Sequence, residues 1–207
     1  PMDFEEFLIA NGVGTTAIDA MRECFNGLEA LSESMHNKML DLFKKYLIVG
    51  GLPKAVETFI DSRNIVEIRS VQNEVHDLYE VDCTKYEDEH NRRLKIRRIY
   101  EMVPSTLENK KKRVVIKDIE NKSWKRADSY IEEFDYLTSA GITPEVKAIS
   151  KPSYPLIENS GKNLLKLYLN DVGILSALYY RNNIKAIIDD IRSINLGSVY
   201  ETVVAQE

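Results

Sequence analysis

The sequence predicts an α+β protein that is mainly α. Apolar residues recur at three- and four-residue spacing over about the first 140 positions, the signature of amphipathic helices. After Gly141 the pattern changes to short apolar or alternating runs bounded by Pro, Gly, Asn and Ser, which read as strands, before helical spacing returns. Hydrophobic residues make up 43% and charged residues 29% of the 207 positions, with only 9 Gly and 6 Pro. That composition is globular and excludes collagen-like, fibrous and disordered classes.

Taken in order, residues 3–10 form a short amphipathic helix, and 11–16, with Gly12 and Gly14, a loop. Ile18, Met21, Phe25 and Leu28 mark the inner face of a second helix, with Thr15 or Thr16 as N-cap. Ser34 can cap a third helix whose apolar stripe is Met35, Met39, Leu42, Phe43 and Tyr46 and whose C-terminal stop is Gly50-Gly51. The cap role accounts for the glycine pair without a ligand. Pro53 suits the first turn of a helix over 53–61. The next helix carries Ile68, Val71, Val75 and Leu78 on one face. Another, within 88–103, carries Ile96, Ile99, Tyr100 and Val103, and Pro104 is expected to limit it.

Val114-Val115-Ile116 is a β-prone run after a Lys-rich turn. Ser123 then N-caps a helix over 124–140 that turns Ala127, Tyr130, Ile131, Phe134 and Leu137 inward, and Gly141 ends it. Strands are expected over 142–149 and 164–169, with 154–157 a third candidate. Asn170-Asp171 starts a helix through about Tyr179, and further helices cover 184–191 and 196–207. A helix, a turn, a second helix and a strand pair are in winged-helix order. The second helix, however, presents Asp128, Glu132, Glu133 and Asp135 on its polar face, where phosphates would be repelled.

The net charge of −5 hides an asymmetry. Residues 85–126 hold 14 Lys and Arg against 7 Asp and Glu, a local +7 that leaves −12 elsewhere. Arg92, Arg93, Lys110, Lys111, Lys112, Arg113, Lys122, Lys125 and Arg126 are the candidate nucleic-acid contacts, since such clusters neutralise phosphates. The competing reading is a solvated face paired with the acidic remainder of the molecule.

Cys24 and Cys83 are too few for a disulfide scaffold and are expected to be buried thiols. His36, His76 and His90 share no ligand spacing, so no metal site is expected. No Gly-x-Ser-x-Gly elbow and no Gly-x-x-x-x-Gly-Lys-Ser/Thr loop occurs, so neither a hydrolase nucleophile nor a P-loop is read here. With no apolar run of about 18 residues and no secretory leader, a cytoplasmic location away from membranes is expected. The start at Pro1 and the stop at Glu207 inside a helix suggest a piece of a longer protein.

Four segments together carry a family resemblance. Pro1-Met2-Asp3-Phe4-Glu5-Glu6-Phe7-Leu8 resembles the segment that closes the ATPase core in a widespread group of prokaryotic AAA-type ATP-binding proteins. Tyr46-Leu47-Ile48-Val49-Gly50-Gly51-Leu52-Pro53 is similar to that family's aromatic, Gly-Gly-Phe/Leu-Pro segment, which opens a helical region. Lys166-Leu167-Tyr168-Leu169-Asn170-Asp171-Val172-Gly173-Ile174-Leu175 resembles its strand, aspartate and Gly-Leu/Ile-Leu segment. Gly197-Ser198-Val199-Tyr200-Glu201 is similar to the first helix of its C-terminal domain of unknown function, which has a restriction-nuclease-like fold.

The resemblance implies three regions. Residues 1–50 would be the tail of the ATPase core and a helical lid-like region, 51–141 a helical and winged-helix-like middle, and 142–207 the start of the nuclease-like α/β portion. It implies a non-catalytic fragment that couples the nucleotide state of the parent ATPase to a partner, with DNA as the candidate and oligomers allowed. The alternative is a stand-alone winged-helix DNA-binding module using the basic 85–126 segment. ATP and Mg²⁺ would belong to the absent core, leaving no cofactor here. Glu201 matches the first-helix glutamate of the nuclease-like fold, the other carboxylates lying beyond Glu207. Its alternative role is a helix-surface or capping glutamate.

Overall fold

The computed structural model describes residues 1–85, 90–108, 119, 127–149, 153–154, 160–181, 184–188 and 196–207. In chain order these give α1 (Phe4–Ala10), α2 (Thr15–Gly27), α3 (Glu33–Val49), α4 (Pro53–Ser62), α5 (Ile65–Lys85) and α6 (His90–Glu108). A 3₁₀ turn (Ala127–Tyr130), α7 (Ile131–Ser139), β1 (Glu145–Ile149) and β2 (Ser160–Leu167) follow, then α8 (Val172–Tyr180), α9 (Lys185–Ile188) and α10 (Gly197–Gln206). The protein is therefore α+β and mainly α. Among the described residues, no helix is long and apolar enough to cross a membrane.

Packing divides the chain at 74/75 and 170/171 into two units. The first joins Pro1–Glu74 to Asp171–Val203 and Glu207; the second is Val75–Asn170 with Val204–Gln206. The first is thus discontinuous in sequence, an arrangement that motif order alone does not reveal.

In the first unit α1 opens with a capping box. Asp3 Oδ1 accepts from the Glu6 N–H at 2.7 Å, while the Asp3 N–H donates to Glu6 Oε2 at 3.1 Å. Gly14, not Thr15 or Thr16, is the N-cap of α2, and no side chain bonds there, because both threonines already lie inside the first turn. Of the expected α2 face, Ile18 is buried, whereas Phe25 is 80% and Leu28 95% exposed. The helix ends at Gly27, so Leu28 sits beyond it in the left-handed region and leaves the stripe. Ser32, two residues before the expected Ser34, caps α3 by accepting from the Met35 N–H at 3.3 Å. Cys24 is a free thiol that is only half-buried, contrary to expectation; the side chain of Cys83 lies outside the described residues.

The α3 stripe packs as its spacing demands. Met39 and Tyr46 are buried, and Met35 and Leu42 lie against the Leu8, Val13, Ile18 and Met39 cluster. Phe4 meets Phe43 edge-on at 5.1 Å, and Phe7 packs on Tyr46 at 5.2 Å. Pro53 opens α4. α5 turns Ile68, Arg69 and Gln72 inward, leaving Leu78 exposed; the inner face contains two polar residues that an apolar count passes over.

In the second unit α6 runs through Pro104 to Glu108 rather than stopping before it. A proline in a helix interior costs about 3 kcal/mol. Ile96, Ile99, Tyr100, Val103 and Leu107 are all buried on both sides of it, so packing outweighs that penalty. Tyr130, Phe134 and Leu137 are inward as expected. Ile131 is half-exposed and Glu133 is buried, which removes Glu133 from the polar face. β1 and β2 are antiparallel, pairing Glu145 with Leu167, Val146 with Lys166 and Lys147 with Leu165, with an irregularity before Ile149. Val114–Ile116, Ser123, Trp124 and 155–157 lie outside the described residues, and Tyr154 is exposed in a bend.

Candidate functional site

A buried polar cluster lies in the first unit, where the end of α3 meets the start of α8. Gly50 ends α3 with φ +74° and ψ −168°, a conformation open essentially to glycine. Its absent side chain leaves room for Asp171: a Cβ there would fall 2.2 Å from Asp171 Oδ1. At Gly51 a Cβ would fall 2.0 Å from the Met2 carbonyl. Both glycines are thus required by close approach, and Gly50 by the helix cap as well.

Asp171 caps α8 by accepting from the Ile174 N–H at 3.0 Å, and its other oxygen accepts from the Gly51 N–H at 2.6 Å. Burial pushes its carboxyl up to about 6, against the pull of these backbone donors. Across the cluster, Arg69 and Gln72 of α5 close the last turn of α3. Gln72 Nε2 donates to the Ile48 and Val49 carbonyls, each at 2.9 Å. Arg69 donates from Nη1 to Gln72 Oε1 at 2.8 Å and to the Gly173 carbonyl at 3.3 Å, and from Nη2 to Ser176 Oγ at 3.2 Å.

Arg69 Nη1 also donates to the Ile48 carbonyl in the last turn of α3 at 3.4 Å, and a helix C-terminus suits a cation. Desolvation lowers its guanidinium to about 10. Tyr46 completes the cluster by donating to the Met2 carbonyl at 2.9 Å; burial, with Asp171, Glu207, Asp3 and Glu6 nearby, raises its hydroxyl. Nothing in this arrangement pairs a nucleophile with a base. Its chemistry is that of a lock joining distant segments.

The sequence-derived basic residues lie elsewhere. Arg92 and Arg93 are in the first turn of α6, and Lys110, Lys111, Lys112, Arg113, Lys122, Lys125 and Arg126 lie outside the described residues. Arg92 sits 3.3 Å from Glu132, and Lys95 the same distance from buried Glu133, with Tyr130 beneath its ammonium. Arg97 joins Glu80 and Glu101, which raise its guanidinium further, Glu101 more strongly. Arg98 donates to the Ile119 carbonyl at 3.2 Å. Arg92, Lys95 and Arg97 are thus each paired with a carboxylate.

His76, without ligand spacing in the sequence, shares a 2.8 Å hydrogen bond with buried Tyr100 and lies 3.4 Å from Glu80. Glu201 is half-buried on α10, and no group of three or more His, Cys, Asp or Glu among the described residues is placed to hold a metal ion.

Residues 40–186 match the model of a domain of unknown function, DUF8612. The chain belongs to the DUF8612 family. No curated protein and no solved structure matches it. The DUF8612 stretch holds Gly50, Gly51, Arg69, Gln72 and Asp171, so both sides of the lock fall within one family segment; Met2 and Tyr200 fall outside it. Arg92 and its partner Glu132 are likewise inside. Sequence reasoning found Gly50, Gly51 and Asp171 as separate motifs and missed Arg69 and Gln72. A polar pair at i, i+3 beside Ile68 on an otherwise amphipathic helix was the available signal.

Proposed function

We propose that this chain is a non-catalytic C-terminal part of a cytoplasmic AAA-type ATPase, coupling the nucleotide state of a core outside this sequence to a partner. One observation carries the reading: three segments of the resemblance meet in the first unit, and the fourth packs on α3 beside them. The Met2 N–H donates to the Gly51 carbonyl at 2.7 Å, the Gly51 N–H donates to Asp171, and Phe43 stacks on Tyr200 at 6.2 Å. Such interlocking would pass a displacement of the first segment to α8 and α10.

The order α7, β1, β2, which runs from the 51–141 region into 142–207, supports a winged-helix order across that boundary, and α10 would be the first helix matched to the nuclease-like fold. DNA as the partner has less support, since Arg92, Lys95 and Arg97 already face carboxylates. The test is the reading frame. In-frame sequence before Pro1 should encode a Gly-x-x-x-x-Gly-Lys-Ser/Thr loop, and a frame that starts at Met2 and stops after Glu207 refutes the proposal. The chain alone should bind no ATP; micromolar affinity would contradict it. Fluorescence anisotropy with duplex DNA at low salt separates the alternative module, for which binding is required.

A further inference from the structure

Within the second unit, α5, the start of α6 and α7 wall a groove of about 700 Å³, a size usual for small-ligand sites. Among the described residues its lining includes Tyr79, Asp82, Arg92, Glu132, Asp135 and Tyr136, three carboxylates and one guanidinium. The tyrosines are set in place. Tyr79 Oη accepts from Asn170 Nδ2 at 2.9 Å, and the same amide donates to the Gly141 carbonyl at 3.0 Å. Tyr136 Oη donates to the Asp82 carbonyl at 3.2 Å.

Pre-positioned rings beside carboxylates attract cations, both through the ring quadrupole and through charge. The groove already accommodates one guanidinium. The Arg92 side chain is 29% exposed while Glu132, 3.3 Å away, is 76% exposed, so the arginine is the member drawn into the wall. Asp82 lies on α5 and Glu132 and Asp135 on α7, a spread of charge along the groove that suits an extended organic cation.

We propose that this groove binds an organic cation bearing a guanidinium or primary ammonium group, seated beside Arg92 between the two tyrosines, with Asp135 as its main counter-charge. Asp135 lies one helical turn beyond Glu132, which already serves Arg92. A free polyamine and a Lys or Arg side chain of a partner peptide share this chemistry.

Isothermal titration calorimetry on the full chain at low salt tests it, with agmatine as the free cation and a short Arg-containing peptide as the second probe. One of the two should bind with a Kd below about 1 mM, and the tighter one identifies the source. Asp135→Asn, an exposed change checked for folding by circular dichroism, should weaken binding about two- to fivefold, as expected for loss of one exposed charge contact. Asp135→Glu should recover most of the affinity, and Glu57→Gln in the first unit should leave it unchanged. No heat with either probe at millimolar concentration overturns the proposal. So does an Asp135→Asn affinity equal to wild type, or an equal loss in Glu57→Gln.

Discussion

Replacing Gly50 by Ala tests the lock directly, because two independent penalties meet at that position. The backbone lies at φ +74° and ψ −168°, a region that costs a non-glycine residue about 1–3 kcal/mol. The added Cβ would stand 2.2 Å from Asp171 Oδ1, so the carboxylate must leave. That strips the buried Gly51 N–H of its acceptor, at about 1–3 kcal/mol, and weakens the α8 cap by about 1 kcal/mol. The sum is about 3–7 kcal/mol, a large share of the 5–15 kcal/mol that ordinarily holds a fold.

The matched control is Gly12→Ala, at φ +80° with nothing within 4 Å of its Cβ, which carries backbone strain alone. Thermal and urea unfolding followed by circular dichroism should put Gly50→Ala below Gly12→Ala by about 5–15 °C, at roughly 2–4 °C per kcal/mol for a chain of this length. Equal losses would refute the reasoning, for they would mean that Asp171 and Gly50 are not in contact.

The Asp171 carboxyl, raised from 3.8 to about 6, favours the fold below its unfolded value and loses that contribution as pH rises through 6. Its share of stability at pH 5 should exceed that at pH 7 by about 1 kcal/mol, and urea midpoints should show this gain in wild type but not in Asp171→Asn. Pro104→Ala restores a backbone donor inside α6 and should raise the melting temperature by several degrees in calorimetry; a fall would mean that the proline sets a required bend. Lys95→Ala strands buried Glu133 and should cost about 2–3 kcal/mol by denaturant titration, whereas Arg97→Ala, on a half-exposed side chain, should cost under about 1 kcal/mol.

Helix positions were legible because their stripes follow 3.6-residue spacing: Met39 and Tyr46 on α3, and Ile96, Ile99 and Tyr100 on α6, are inward as the pattern requires. The misplaced features have local causes. Pro104 breaks an isolated helix but not one whose flanking turns are both buried, and Leu28 fits the α2 period yet falls after the helix has ended. Glu133 looks like surface until Lys95, 38 positions earlier, is seen to reach it. The lock was half visible. Gly50-Gly51 and Asp171 announce caps, but their partnership spans 120 positions, and no local pattern encodes that pairing. Arg69 and Gln72 were missed because a polar residue on an inner face is ordinarily read as a break in the stripe.

The discontinuity of the first unit governs its order of assembly during synthesis. Residues 1–74 emerge before residues 75–170, and the aspartate that receives the Gly51 N–H comes only after that whole excursion has been made. At roughly 5–20 residues per second, that wait is about 5–20 s. Throughout it the Gly51 N–H is left to water, so the interval before Asp171 appears is the stage at which a chaperone would find the most to hold on residues 1–74.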